Sequence, residues 1–166
     1  MEIVKVNSKE LIETVVEIAG EIWRRHYSSI ISIEQIEYML EKFQSFDAVS
    51  NQIKNENYQY FLMRNDENSY EGFFAVSVKD KELFLSKIYI KERSRKKGYA
   101  KQSVEFIKNM AAKLNLSRIA LTVNRANLNS IEAYKKMGFV VEERIDAYIG
   151  NGYEMNDYKM AMEIKI

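Results

Sequence analysis

Between Leu83 and Leu114 the chain reads LFLSKIYIKERSRKKGYAKQSVEFIKNMAAKL. An apolar strand, a basic turn with one glycine and an amphipathic helix follow one another without a break. Arg93, Arg95, Lys96 and Lys97 surround the turn, and Gly98 with the small Ala100 frees its backbone N–H groups to converge where the helix begins. A helix start carries unpaired N–H donors and a partial positive charge, so a phosphate or pyrophosphate is its natural guest. By itself the basic run from Lys91 to Lys101 also fits a solvated turn or a nucleic-acid patch. Downstream, in VNRANLNSIEAYKKMGF, Tyr134 on its own reads as a packed helix tyrosine and Asn127 as a candidate cap for the helix that follows.

Composition narrows what these groups can be for. With 166 residues and 46% hydrophobic content, residues 1–166 read as one domain with a substantial core. Twenty-five basic residues against 24 acidic ones leave the chain near neutral, which argues against a nucleic-acid or membrane-surface partner and makes the basicity local. No cysteine is present, so no thiolate nucleophile, disulfide framework or zinc-thiolate site can be built, and one histidine excludes a multi-histidine metal site. No metal is expected. MEIVKVNSKE lacks the apolar core of a signal peptide, and no apolar run approaches the roughly 20 residues that span a bilayer, so a cytoplasmic protein is expected.

The elements that must hold these groups are legible from periodicity and caps. Met1 to Val6 predicts a first strand; Ile12, Val15, Val16, Ala19, Ile22 and Trp23 form a helical stripe behind Ser8 as N-cap. Ser32 and Gln35 form a capping box ahead of Ile36, Met39, Leu40 and Phe43, and a further short helix runs from about Phe46 to Ile53. Tyr58 to Asn65, Tyr70 to Val78 and Leu83 to Ile90 predict an antiparallel meander joined by polar turns. Strand, helix and the buried strand Arg118 to Val123 then suggest a parallel crossover. A short helix from Asn129 to Met137 ends at Gly138, and FVVEERIDAYI and MNDYKMAMEI flank the turn Gly150-Asn151-Gly152. The coarse order is β-α-α-β-β-β-α-β-α-β-β.

Two segments carry a family likeness. Arg95-Lys96-Lys97-Gly98-Tyr99-Ala100 resembles the Q/R-x-x-G-x-G/A pyrophosphate loop of the GCN5-related N-acetyltransferase (GNAT) superfamily, at that family's place between the fourth strand and the next helix. Val123, Asn127, Ser130-Ile131, Tyr134, Lys136 and Gly138-Phe139 resemble its second signature. Tyr99 is bulkier than usual, and Ala100 replaces the commoner glycine, but the loop requires only close backbone approach. The resemblance implies an α/β (α+β) GNAT fold: a mixed, mostly antiparallel, twisted central sheet of about six to seven strands, helices on both faces, and a splay between strands four and five.

It also implies acetyl-CoA as co-substrate and transfer of its acetyl group to a primary amine by direct attack. The pyrophosphate would lie on the N–H groups of Lys96, Lys97, Gly98, Tyr99, Ala100 and Lys101, with Arg95 adding charge and another lysine, Lys136 included, available to the donor. Main-chain groups of Ile88, Tyr89 and Ile90 would hold the pantetheine arm and polarise the thioester. Tyr134 would protonate the departing thiolate, and Asn127 would position the arm or the local backbone. Glu71 and Glu82 are the candidate bases, and His26 is read as structural or incidental. Trp23, Tyr27, Tyr58 and Tyr60 either line an acceptor pocket or pack in the core. The N-terminal region and the ending GYEMNDYKMAMEI look like the small bacterial members that include spermidine and spermine acetyltransferases, so a small amine such as a polyamine is the expected acceptor, met by Glu34, Glu37, Glu41 and Asp47. Protein N-terminal or lysine acetylation, and a non-catalytic CoA-binding module, stay open, as does a homodimer formed through an exposed strand edge.

Overall fold

Three serines set the start of the chain. Ser8, Ser32 and Ser45 stand in extended backbone and accept the N–H groups of Leu11, Gln35 and Ala48 at 3.2, 3.1 and 3.2 Å. Each cap answers a donor that a helix start leaves unpaired and is worth about 1 kcal/mol. Behind them run α1 (Lys9–His26), α2 (Ile33–Gln44) and α3 (Phe46–Asn55). The computed structural model describes residues 1–165. The short helix expected after Phe46 is therefore a full element, and the leading part of the chain holds three helices where the coarse order had two.

The strands are β1 (Glu2–Lys5), β2 (Gln59–Arg64), β3 (Tyr70–Lys79), β4 (Glu82–Ile90), β5 (Arg118–Asn124), β6 (Val140–Gly150) and β7 (Tyr153–Glu163), with α4 (Tyr99–Lys113) and α5 (Leu128–Lys136) between them. They form a seven-stranded sheet in the order β1-β2-β3-β4-β5-β7-β6. The sheet is mostly antiparallel, with β4 and β5 parallel across the α4 crossover. This is the mixed α/β architecture expected. Asp80 and Lys81, at φ 48° and 66°, make the two-residue turn between β3 and β4, and Asn151 and Gly152, at 53° and 79°, make the one between β6 and β7. Paired positive φ values give hairpin turns whose twist matches that of the strands.

The described chain forms two compact units, Met1–Ser77 with Lys87–Val104, and Val78–Ser86 with residues from Glu105 on. In the first, the apolar stripe of α1 (Val15, Ala19, Ile22, Trp23) is buried with Ile36, Met39 and Val49 of the following helices and with the inner residues of β2 and β3. Phe61 lies opposite Phe74 in the β2–β3 register, their rings stacked at 5.0 Å. In the second, Leu83, Leu85, Ile107, Ala111, Ile119, Leu121, Ile131, Phe139 and Met160 make the core. Each large buried side chain contributes roughly 1.5–3 kcal/mol relative to exposure. On this second core Arg118 pairs with Glu82 at 2.9 Å, with Glu163 at 2.5 Å and with Glu142. Among the described residues no helix is long and apolar enough to cross a membrane, and no group of three or more acidic or histidine side chains could hold a metal ion.

Candidate active site

Strand β4 changes character along its length. Leu83, Phe84 and Leu85 are in parallel register with Ile119, Ala120 and Leu121, and the registered ladder goes no further. From Lys87 to Ile90 every residue is half-buried. This is the stretch that contains Ile88, Tyr89 and Ile90. On its β3 side the stretch is held tightly: a Cβ on Gly72 would collide with the Tyr89 carbonyl oxygen and press on Ile90 Cα, 3.1 Å away. Only glycine lets the strands approach this closely. The Lys91 N–H then donates to the Glu71 carbonyl at 2.8 Å.

After Ile90 the chain makes a single 3-10 turn, Glu92–Ser94, and enters the basic loop. Lys96 takes φ 60° and Gly98 φ 84°, and these two left-handed residues turn the backbone so that α4 starts at Tyr99. The first main-chain bond of the helix runs from the Gln102 N–H to the Gly98 carbonyl at 3.0 Å. The N–H groups of Gly98, Tyr99, Ala100 and Lys101 precede it, and among the described residues they have no partner. Around Gly98 a Cβ would meet nothing nearer than the flexible end of Gln102, 3.6 Å away, so the approach is open. Arg95, Lys96, Lys97 and Lys101 are exposed. A set of unpartnered N–H donors with cations beside it fits a pyrophosphate and, with it, the CoA portion of acetyl-CoA.

Arg93 does not belong to that ring. Its Nε and Nη2 donate to the two oxygens of Glu71 at 2.9 and 3.0 Å. Glu71 is 2% exposed and also accepts the Ser94 hydroxyl at 2.7 Å and the Asn65 amide at 3.3 Å. The Arg93 guanidinium, aided by Ser94 and opposed by burial, holds this carboxyl below the usual carboxylate range. So placed, Glu71 is a poor base. Glu82, half-buried, pairs with Arg118 and with Lys159 at 3.1 Å, so it too is taken up in ion pairs. His26 borders a cleft of about 210 Å³ with Glu21, Arg25, Lys91, Glu92 and Arg95.

The aromatic candidates divide the same way. Trp23 is buried, edge-on to Tyr89 at 5.6 Å and tilted against Tyr27 at 5.6 Å, so it backs the β4 stretch from the α1 side. Tyr60 is buried; its hydroxyl donates to Gln52 at 2.5 Å and accepts from Lys87 at 2.8 Å, and burial pushes the phenol above its ordinary range. Lys87 also lies over the Tyr58 ring, 5.3 Å from its centroid. Of the carboxylates assigned to a polyamine, Glu37 is held by Arg24 through bonds of 2.7 and 3.1 Å, while Glu34, Glu41 and Asp47 are exposed on α2 and α3.

In the second unit Asn127 is buried and caps α5, its Oδ1 accepting the Ser130 N–H at 3.4 Å while its own N–H donates to the Asn124 carbonyl at 2.9 Å. Tyr134, half-buried on α5, sets its ring edge-on to Phe139 at 5.7 Å, and its carbonyl receives the N–H groups of Met137 and Phe139. Lys136 is exposed in the last turn. One group escaped the sequence reading altogether. Asp157, opposite Asn124 in the β5–β7 register, is 7% exposed, its Oδ1 has no partner, and burial raises its carboxyl to about 6 against the pull of Arg125. The sequence offered only a weak signal for it, an acidic residue inside an otherwise strand-like run.

The model of the acetyltransferase (GNAT) family matches residues 10–139. The spermidine N(1)-acetyltransferase of Thermoplasma acidophilum is 27% identical over 146 residues, which cover 86% of this chain and 90% of that protein. Among solved structures, the PaiA N-acetyltransferase of T. acidophilum, determined in complex with coenzyme A, matches with a TM-score of 0.80 at 23% identity, over 98% of this chain and 99% of that chain. A chimera of the Vibrio cholerae spermidine N-acetyltransferase SpeG and hSSAT matches with a TM-score of 0.68 at 15% identity, over 98% and 96% of the two chains. At these identities the solved structures show a shared fold.

Proposed function

Because the chain belongs to the acetyltransferase (GNAT) family, and so to the N-acetyltransferases that take acetyl-CoA as donor, we propose that it acetylates a primary amine of a small molecule, with a polyamine as the acceptor class. The observation that carries the donor half is the start of α4: unpartnered N–H groups from Gly98 to Lys101, exposed cations at Arg95, Lys96 and Lys97, and open space over Gly98. Support for the acceptor half comes from the spermidine acetyltransferase relative, which is similar along most of its length.

The bound donor supplies an activated thioester; the rest is positioning and proton handling by the chain. The loop from Arg95 to Lys101 receives the pyrophosphate, with Lys136 a further cation for the donor. Beyond Leu85, the unregistered edge of β4 offers its main-chain groups at Ile88, Tyr89 and Ile90 to the pantetheine arm. One of their N–H groups faces the thioester oxygen, a contact worth about 3 kcal/mol by analogy with oxyanion holes. Asn127 fixes the entry to α5 and thereby the place of Tyr134. By its place in the family motif, the Tyr134 hydroxyl would pass its proton to the sulfur as the amine nitrogen bonds the acetyl carbon and the C–S bond breaks, and the proton the amine sheds would leave through water and restore the phenol. A phenol near pKa 10 does this for a thiol near 8.5 only when both are held in place. The absence of cysteine fits direct attack by the amine.

An amine panel, followed by release of free CoA with a thiol reagent, tests the reading; the cysteine-free chain gives no background. Spermidine and spermine are expected to release CoA and peptide amines to be slower, and preference for a peptide would overturn the acceptor class. Titration calorimetry with acetyl-CoA tests the loop separately: Gly98→Glu is expected to abolish binding with the fold intact, since it sets a bulky anion at φ 84° over the N–H groups. Unchanged affinity would remove the loop from the site.

A further inference from the structure

A buried carboxylate directly behind an anion-binding loop is a paradox. Glu71 is 2% exposed and sits at the start of β3, against the segment that leads from β4 into the loop. Its negative charge opposes a pyrophosphate, and it takes Arg93 out of the loop's cations through two bonds. If charge alone mattered, this residue would be a handicap.

Its contacts point elsewhere. Glu71 touches the leading segment four times: its carbonyl accepts the Lys91 N–H at 2.8 Å, and its carboxylate accepts Arg93 Nε, Arg93 Nη2 and the Ser94 hydroxyl at 2.9, 3.0 and 2.7 Å. Ser94 is itself 4% exposed, so the bond is enclosed. The neighbouring Gly72 admits the Tyr89 carbonyl and Ile90 Cα. The dipeptide Glu71-Gly72 therefore meets this segment at Tyr89, Ile90, Lys91, Arg93 and Ser94. One residue later the donor loop begins at Arg95, whose Nε reaches back to the Ile90 carbonyl at 3.2 Å. Charge-assisted bonds of this kind, made away from water, are the ones that hold geometry.

We propose that Glu71 is a positioning residue for the donor: it clamps the Lys91–Ser94 turn so that the edge of β4 and the N–H groups at the start of α4 stand ready together. This rests on the donor-loop reading above. The clamp acts through Arg93 and Ser94, and neither of these binds the donor itself.

The isosteric Glu71→Gln variant separates positioning from charge, because the two predict opposite signs. It deletes a negative charge and frees Arg93, so an electrostatic role alone would tighten acetyl-CoA. A clamp would loosen it, because an amide cannot accept all three side-chain bonds. The expected result is a rise of roughly tenfold or more in both the calorimetric Kd and the KM for acetyl-CoA, the size of losing a few kcal-scale charge-assisted bonds. The acceptor KM and the kcat at saturating donor should stay within about twofold of wild type. A merely structural role would lower the melting temperature and leave that split unmoved. Equal or tighter binding by a folded Glu71→Gln overturns the proposal. Should that variant not fold, Ser94→Ala, which removes one bond, is expected to raise the donor Kd severalfold with a near-normal melting temperature, and an unchanged Kd there overturns it as well. Gly98→Glu run alongside keeps the readings apart: if it binds donor like wild type, the loop reading fails and the clamp falls with it, whereas loss of binding there beside unchanged binding by Glu71→Gln overturns the clamp alone.

Discussion

Tyr134 carries the sharpest expectation at the level of single residues. Replacing it with Phe keeps the edge-on packing against Phe139 and removes only the hydroxyl. The kcat is expected to fall at least roughly tenfold, the low end of a general-acid contribution, with the acetyl-CoA Kd almost unchanged. A wild-type rate would refute the acid role. Asp157 carries an expectation of a different kind. Burial raises its carboxyl from 3.8 to about 6, so the folded state holds that proton more tightly than the unfolded chain. The sign follows: between roughly pH 4 and 6 its contribution to stability falls as pH rises, and above that range the ionised group costs no more than about 3 kcal/mol. The charged group near it is Arg125, whose guanidinium binds the Asp157 and Ile145 carbonyls and Asp146. Asp157→Asn should therefore melt higher than wild type near pH 7.5, and the difference should vanish near pH 4. A difference independent of pH, in melting curves taken across that range, would sink this account.

At the level of elements, the chain was legible wherever local chemistry decides. Ser8 and Ser32 could be read as caps because a side-chain acceptor three residues before a free N–H is a local matter. The turn at Gly150-Asn151-Gly152 could be read because positive φ selects its residues. The donor loop belongs to this group: Gly98 and the cations beside it sit together in sequence and in space. What could not be read was pairing over distance. Glu71 looked like a candidate base because nothing local says that Arg93 and Ser94, more than 20 residues on, return to it. A glutamate inside YEGFFAVSV was in fact a clue, since a charge in a buried strand needs a partner. Glu37 likewise seemed free for a polyamine until Arg24 of α1 came to lie beside it. Asn127 fell between: a capping residue by local rule, and one whose further role depends on the ligand.

At the level of the whole molecule, one strand takes part in both compact units, and its two halves have different neighbours. Leu83 to Leu85 lie in register with β5, whereas among the described residues that register does not continue from Ser86 on, and β3 meets the backbone at Gly72 and Glu71. That split has a signature in exchange of amide hydrogen for deuterium. In the free protein the amides of Leu83–Leu85 should exchange slowly, and those of Ile88 and Ile90, which alternate with the β3-facing Lys91 N–H, should exchange orders of magnitude faster. Acetyl-CoA should slow the second set together with Gly98 to Lys101 and leave the first unaltered. If Ile88 and Ile90 were equally protected with and without donor, the edge of β4 would not be where the arm lies. A strand unfinished along half its length would thus report, amide by amide, when its ligand completes the sheet.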